Sequence, residues 1–290
     1  MTFRVLRSTL RRSLVAAIAV FPLALPLAAA ADDGASAQGS VERLLYARPA
    51  TTAAGFNMDA YVQYFDGLTL QEAVDVEGWT AGLDFTFPFN RSMQLRFLLP
   101  VRTEADGVLL EGGDEIDIEG WGGTFDFATV SFEHQIMGVT GGPNRLSYQV
   151  GAGHRTSVLE TSVGDKYNHR GRSLHVGLRY DRLLATGSAL LADLEVRFYE
   201  ESDDLNPGDL IDDRFFFVKF AGGWVGSPGG RLTPALELTA EMVEDYFAAS
   251  LVPELFLHTT DRLTLKFGVP LGITSDAPDW GAQVRLSLDF

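Results

Sequence analysis

The chain has no cysteine, so neither a disulfide framework nor thiol chemistry contributes to it. Bases are scarce: 23 Lys and Arg stand against 39 Asp and Glu, a formal charge of −16. Without a basic patch to displace counterions, nucleic acid is not an expected partner. Beyond residue 31, no apolar run approaches the roughly 20 residues that a spanning helix needs. Metal-ligand spacings and phosphate-cradling glycine loops are lacking as well, so no metal and no cofactor is expected. Any residence in a membrane must therefore come from strands.

The one long apolar run comes first. Arg4, Arg7, Arg11 and Arg12 precede Leu14–Leu27, and Ala29-Ala30-Ala31 supplies small residues for cleavage before Asp32. Residues 1–31 read as a secretory signal peptide and are set aside from fold reasoning. Pro22 and Pro26 speak against a membrane anchor, since each removes a helical hydrogen bond. Removing 31 of 290 residues leaves 259, and losing four arginines takes the charge from −16 to −20.

Residues 32–55 are small and polar around a short amphipathic stretch, Val41-Glu-Arg-Leu-Leu-Tyr46. They are expected to form a periplasmic leader, read as a tail rather than as a helix plugging a barrel. From residue 56 onward the chain is a series of alternating runs of strand length. Trp79, Ala81, Leu83, Phe85, Phe87 and Phe89 alternate with Thr80, Gly82, Asp84 and Thr86. Leu263, Leu265, Phe267, Val269 and Leu271 alternate with polar residues that include Lys266. Such runs suit the roughly 9–11 residues of a membrane-crossing strand. About twelve are found, with the register left open near 124–136 and 246–258.

The last run is the cleanest. In Trp280–Phe290 one face carries Ala282, Val284, Leu286, Leu288 and Phe290, the other Gln283, Arg285, Ser287 and Asp289. A strand ending on a terminal aromatic resembles the closing strand of outer-membrane β-barrels. That resemblance implies that Leu286, Leu288 and Phe290 form the signal read by the barrel-insertion machinery.

The connections alternate in length, as barrels alternate periplasmic turns with external loops. Asn90-Arg-Ser92, Thr140–Asn144 and Thr259-Thr-Asp261 are short and built of turn formers. Residues 66–73, 103–123, 157–168, 201–212 and 273–279 are read as external loops. Two of these regions are densely acidic, which favours a solvated surface over a divalent-cation site, since Asp114-x-x-Asp117 fits no calcium loop. Outer-membrane lipid and lipopolysaccharide are the implied surroundings. Aromatics sort to strand ends: Tyr64, Trp79, Phe198 and Trp280 at one rim, Phe89, Tyr180, Trp224 and Phe290 at the other. The fold class is thus an all-β transmembrane antiparallel barrel over residues 56–290, in the outer membrane, with both termini periplasmic.

Charges on the polar faces are the candidate lumen lining: Asp84, Arg96, Arg102, Arg145, Arg155, Arg179, Glu195, Lys219, Glu237, Glu254, Lys266 and Arg285. They suit either a charged, water-filled channel or a narrow lumen closed by its own salt bridges. An enzyme is not expected. Ser173 and His175 share a face, but that face is the lumen; Ser131 and His134 lie on opposite faces, and Asp165 with His169 makes a poor acid–base pair.

Arg91–Pro100 and Thr260–Pro270 share one plan: a tight turn, an alternating strand, then proline near the outer end. This phrase resembles the outer-membrane barrels linked with meta-cleavage phenol-degradation pathways. The resemblance implies a channel or facilitator for small solutes, of aromatic or apolar kind. The other readings are a barrel without a pore, serving structure or surface interaction, and a membrane-embedded hydrolase.

Overall fold

A computed structural model describes residues 41–290 apart from 71–72, 112–113, 124–126, 165, 204–213, 228–229 and 244–245. The signal segment and residues 32–40 of the leader lie outside the described residues. Fourteen segments run in chain order: β1 (Asn57–Leu70), β2 (Ala73–Pro88), β3 (Met93–Glu111), β4 (Asp114–Gly123), β5 (Ala128–Met137), β6 (Asn144–Thr161) and β7 (Lys166–Leu183), then β8 (Ala189–Asp203), β9 (Arg214–Val225), β10 (Leu232–Val243), β11 (Tyr246–Thr260), β12 (Leu263–Gly268), β13 (Leu271–Gly272) and β14 (Trp280–Asp289).

Each strand pairs antiparallel with its neighbours, and β14 returns to β1 from Asn57↔Asp289 to Asp66↔Trp280. The sheet has no free edge, so every spanning strand has its backbone groups met within the wall. β4 and β5 are one stave, since β3 pairs with β5 along Met93–Leu98 and with β4 further out. β12 and β13 are another, divided at Val269-Pro270. Proline has no N–H to donate to the ladder, so the pairing lapses there, while the Pro270 carbonyl still accepts from Gly281 N at 2.8 Å. Fourteen segments therefore make twelve staves, the number expected from the alternating runs.

Alternation sets the two faces. On β6, Arg145, Ser147 and Gln149 are buried inside, and Val150 and Ala152 are exposed outside. The outer face is an apolar belt that includes Val62, Leu99, Val130, Leu174, Val176 and Val284, as hydrocarbon requires. Aromatics gather at both margins. Tyr64 and Trp280 pack at 5.2 Å at one, where Trp280 Nε1 donates to Asp66 at 2.8 Å. At the other, Phe56 packs on Phe87 at 4.7 Å and on Phe290 at 5.1 Å. The registers left open now resolve: Thr129, Ser131, Glu133 and Gln135 face inward on β5, and Ser250, Val252, Glu254 and Phe256 on β11.

The expected external loops at 66–73, 103–123 and 157–168 are corrected by the structure. They are mostly strand: β1 and β2, β3 and β4, and β6 and β7 continue as hairpins well past a membrane's width. β3 alone has 19 residues. Inward-facing Phe65, Val76, Ala105, Leu109, Ile118 and Leu159 pack on one another there, giving the extension its own core. The 103–123 sequence is acidic on one face and apolar on the other, and the apolar face decided its structure. β10 and β11 are shorter, meeting at Val243↔Tyr246, so the wall stands higher on one side than the other. Residues 204–213 of the expected 201–212 loop lie outside the described residues.

A barrel closed along its whole seam resists detergent until heated. The unboiled protein is expected to migrate differently from the boiled protein on a detergent gel. Identical mobility would contradict the closed seam.

Candidate functional site

The interior of the barrel is organised by the leader. Residues 41–55 are expected as a tail; the structure instead places them inside the barrel, at the end where β1 begins and β14 ends. They form no helix. A turn, with Leu44 N donating to the Ala47 carbonyl at 3.1 Å, folds the segment into the inner half of the interior. The reason is electrostatic complementarity. The wall presents surplus carboxylates, and an unpaired backbone offers N–H groups. Leu45 N donates to Glu254 at 3.1 Å, Tyr46 N and Ala47 N to Glu237, and Ala50 N to Asp181 at 2.8 Å. Thr52 N and Ala53 N donate to the side-chain oxygens of Gln135 and Gln94, at 3.2 and 2.8 Å.

Apolar contacts add to this. Leu44, Leu45, Ala47 and Ala50 are buried, and Leu44 joins Leu191, Val225, Ala235 and Phe256 in a core on the inner wall. The wall is notched to receive it. A β-carbon at Gly268 would lie 2.3 Å from Leu45 Cδ1, and one at Gly223 3.0 Å from Leu44 Cδ1.

The leader's two arginines complete a charge network. Asp84 accepts from Arg96 Nε and Nη2 at 2.9 and 2.8 Å, from Arg43 at 2.8 Å and from Arg48 at 3.4 Å. Asp59 receives Arg43 and, at 3.4 Å, Arg285, whose guanidinium lies 5.4 Å over Tyr61. Lys266 donates to the Arg43 carbonyl at 2.8 Å, pairs with Glu42 at 2.9 Å and lies over Phe256. Arg145 reaches Thr51 Oγ1 at 2.8 Å and Asp181 at 3.7 Å.

A second network crosses the barrel wall beside the leader. Arg179 pairs with Glu133 at 2.7 Å and Asp193 at 2.9 Å and donates to Gln149. Gln149 donates to Glu195 at 3.0 Å, and Glu195 accepts from Arg197 at 2.7 Å. Lys219 pairs with Glu241 at 2.7 Å. Buried charges such as Arg179, Glu133 and Asp193 are tolerated only when paired, and these are, while the Lys219–Glu241 pair is part-exposed.

One expected lining residue is elsewhere. Arg102 faces outward, because the register between β2 and β3 shifts at Ala81/Gly82: Pro100 pairs with Gly82, but Arg102 pairs with Ala81. The extra residue, Val101, inverts the alternation, as a β-bulge does. The Arg102 side chain is 64% exposed, pairs with Glu104 and lies 6.0 Å over the outward ring of Trp79. On β14, Leu286 and Leu288 sit on the outer face opposite Ala60 and Met58. Phe290 is 65% exposed, and its N–H donates to the Phe56 carbonyl at 2.9 Å.

The histidines form other pairs than the sequence suggested. His175 Nε2 meets Ser131 Oγ at 2.8 Å, reaching across Gly151, where a β-carbon would lie 2.5 Å from that nitrogen. No carboxylate among the described residues hydrogen-bonds the His175 Nδ1, the position from which a catalytic acid orients its histidine. His134 faces outward against Tyr148, and His258 lies between Thr233 and Thr264. Asp165 and the side chain of His169 lie outside the described residues.

No protein-family description matches the chain, and no curated protein matches it in sequence. Solved structures do. The translocator domain of the autotransporter NalP from Neisseria meningitidis aligns at 9% identity with a TM-score of 0.56, covering 82% of this chain and 90% of that one. The beta domain of the Bordetella autotransporter Brka aligns at 13% identity with a TM-score of 0.55, covering 81% of this chain and all of that one. The toluene transporter TbuX from Ralstonia pickettii aligns at 8% identity with a TM-score of 0.45, over 82% and 90% of the two chains. At these identities what the chain shares with the two autotransporter domains is a fold, and nothing finer.

Proposed function

We propose that this chain is an outer-membrane channel for small solutes whose inner half is closed by its own leader. The observation that carries the reading is the way the leader is held. Four of its backbone N–H groups donate to wall carboxylates of Asp181, Glu237 and Glu254, and two donate to glutamine oxygens. These polar contacts can be exchanged for water, while the apolar contacts of Leu44 and Leu45 help to keep the leader seated.

In this reading the inward charges, from Asp84 and Arg96 round to Lys266 and Arg285, line the path a solute takes past the leader. β1 begins where β14 ends, through Asn57↔Asp289, and we assign that end of the barrel to the periplasm. Phe290 stands exposed there for the insertion machinery, and outer-membrane lipid with lipopolysaccharide surrounds the belt. The resemblance to the phenol-degradation barrels, together with apolar inward residues in the outer half, supports small aromatic or apolar solutes. Ser131 and His175 are not read as a catalytic pair, since no carboxylate among the described residues hydrogen-bonds the imidazole Nδ1.

The test is functional reconstitution. Purified protein in a planar bilayer is expected to give brief openings above a low baseline, and vesicles carrying it are expected to swell in small-solute gradients. A silent bilayer with no swelling would leave a barrel of structural or surface role.

A further inference from the structure

Two buried acids grip the turn of the leader, and they also meet each other. Glu237 of β10 pairs in register with Val252, and Glu254 of β11 with Ala235, so the two acids are diagonal neighbours on facing strands. Long side chains reach one another across such a diagonal. Glu237 accepts from Tyr46 N at 3.0 Å through Oε2 and from Ala47 N through Oε1. Glu254 accepts from Leu45 N at 3.1 Å through Oε2. Three consecutive amides of one turn are thus met by two carboxyl groups, both buried. The carboxyl groups are in hydrogen-bonding contact with one another, while Glu254 Oε1 has no donor among the described residues.

An ionised carboxylate only accepts hydrogen bonds. Two ionised carboxylates in contact would leave that contact without a donor and set like charges side by side. One proton on Glu254 Oε1, donated to Glu237, answers both. The charges around the pair are engaged elsewhere. Lys266 of β12 holds Glu42 and the Arg43 carbonyl, Arg285 of β14 holds Asp59, and Arg43 holds Asp59 and Asp84. Glu241, further along β10, pairs with Lys219 of β9. His258, two inward positions along β11, lies between Thr233 and Thr264. The Tyr46 phenol lies near Glu237, Glu241, Glu254 and Arg285.

We propose that Glu237 and Glu254 share one proton and that this proton is a latch on the leader, a reading that rests on the leader closing the channel. With the proton in place, the pair grips three amides while carrying a single negative charge. Hydroxide removes it as water, and two carboxylates then face each other in a site closed to solvent, so they move apart. They cannot do so while both hold residues 45–47 of one tight turn. The turn comes away from the wall, and the leader leaves its seat. The leader is therefore seated at neutral pH and released as the pH rises.

The experiment follows the proton and the leader separately in the purified full chain in detergent. Infrared difference spectra report the protonated carboxyl. Trypsin cleavage after Arg43, read by mass spectrometry and normalised to a free peptide of residues 41–50, reports release of the leader. Between about pH 7 and about pH 9 the carboxyl band is expected to fade. Cleavage after Arg43 should rise at least about tenfold with the same midpoint, and openings in a planar bilayer with it. Glu254→Gln keeps an oxygen for Leu45 N and places an amide N–H where the proton was. It is expected to lack the band and to keep the leader seated across the range. Tyr46→Phe, which removes the neighbouring phenol, should titrate like the parent. Should Glu254→Gln fail to fold by its gel mobility, the parent alone decides, since band and cleavage must share one midpoint. The proposal is overturned if the parent shows no carboxyl band, if cleavage does not follow its loss, or if folded Glu254→Gln titrates like the parent. Band and cleavage moving together over an unchanged bilayer current would keep the latch and remove the leader as the closure. Openings that rise with pH equally in Glu254→Gln would keep the channel and remove the latch.

Discussion

Joining Ser40 directly to Gly55, so that residues 41–54 are removed, is expected to raise time-averaged conductance at least about tenfold over the intact chain. The estimate follows from the contacts. Six leader N–H groups donate to wall acceptors, and hydrogen bonds to charged partners each contribute roughly 1 kcal/mol or more net. Even a fraction of that total keeps the leader seated nearly all the time, since about 1.4 kcal/mol is tenfold in population. The wall does not depend on the leader for closure, because the β1–β14 seam lies wholly after residue 56. Most stranded carboxylates keep a partner: Asp84 retains Arg96, Asp59 retains Arg285, and Asp181 retains Arg145. Glu237 and Glu254 lose their amide donors and become hydrated as water enters. Gel mobility of the deleted form should still change on boiling. A folded, deleted barrel with unchanged conductance would mean that the leader is not what closes the pore.

The barrel was legible because its signal is local. Alternation from Trp280 to Phe290 depends only on neighbouring residues, and the same holds for most of the staves. The interior was legible only in part. Asp84, Arg179 and Lys266 sit on clean polar faces, so their inward direction could be read. Arg102 could not, because a bulge at Val101 depends on how β2 and β3 pair across the sheet. Glu133 was missed for a related reason: its strand alternates poorly, and β3 and β6 fix its register. The seat of the leader was the largest omission. Its signal existed, in Arg43 and Arg48 set against an interior rich in acids, but pairing them needs the barrel first. The Ser131–His175 contact joins residues 44 apart over a glycine between their strands, which no spacing pattern announces. The long outer hairpins read as loops because the connections alternate in length and 103–123 is rich in acids, although Ala105, Leu109, Ile118 and Leu159 supply a core there.

Replacing Arg179 with methionine is expected to destabilise the barrel by about 3–5 kcal/mol, the usual cost of breaking a buried ion pair from one side. Arg179 is the centre of the second network, with its side chain only 1% exposed. Without it, Glu133 and Asp193 become buried carboxylates that have lost their guanidinium, and Gln149 loses its donor. Methionine fills most of the volume, so the loss is electrostatic rather than a cavity. The sign can be tested by removing the charges together. Arg179→Met combined with Glu133→Gln and Asp193→Asn should recover most of the stability, because no ionised group is then left unpaired. Urea unfolding of the barrel in detergent, followed by loss of the unboiled gel form, measures both variants. Recovery in the triple variant would identify the ion pairs as a means of satisfying one another. Failure to recover would mean that Arg179 contributes through packing across β5, β6, β7 and β8, where its long side chain bridges four staves.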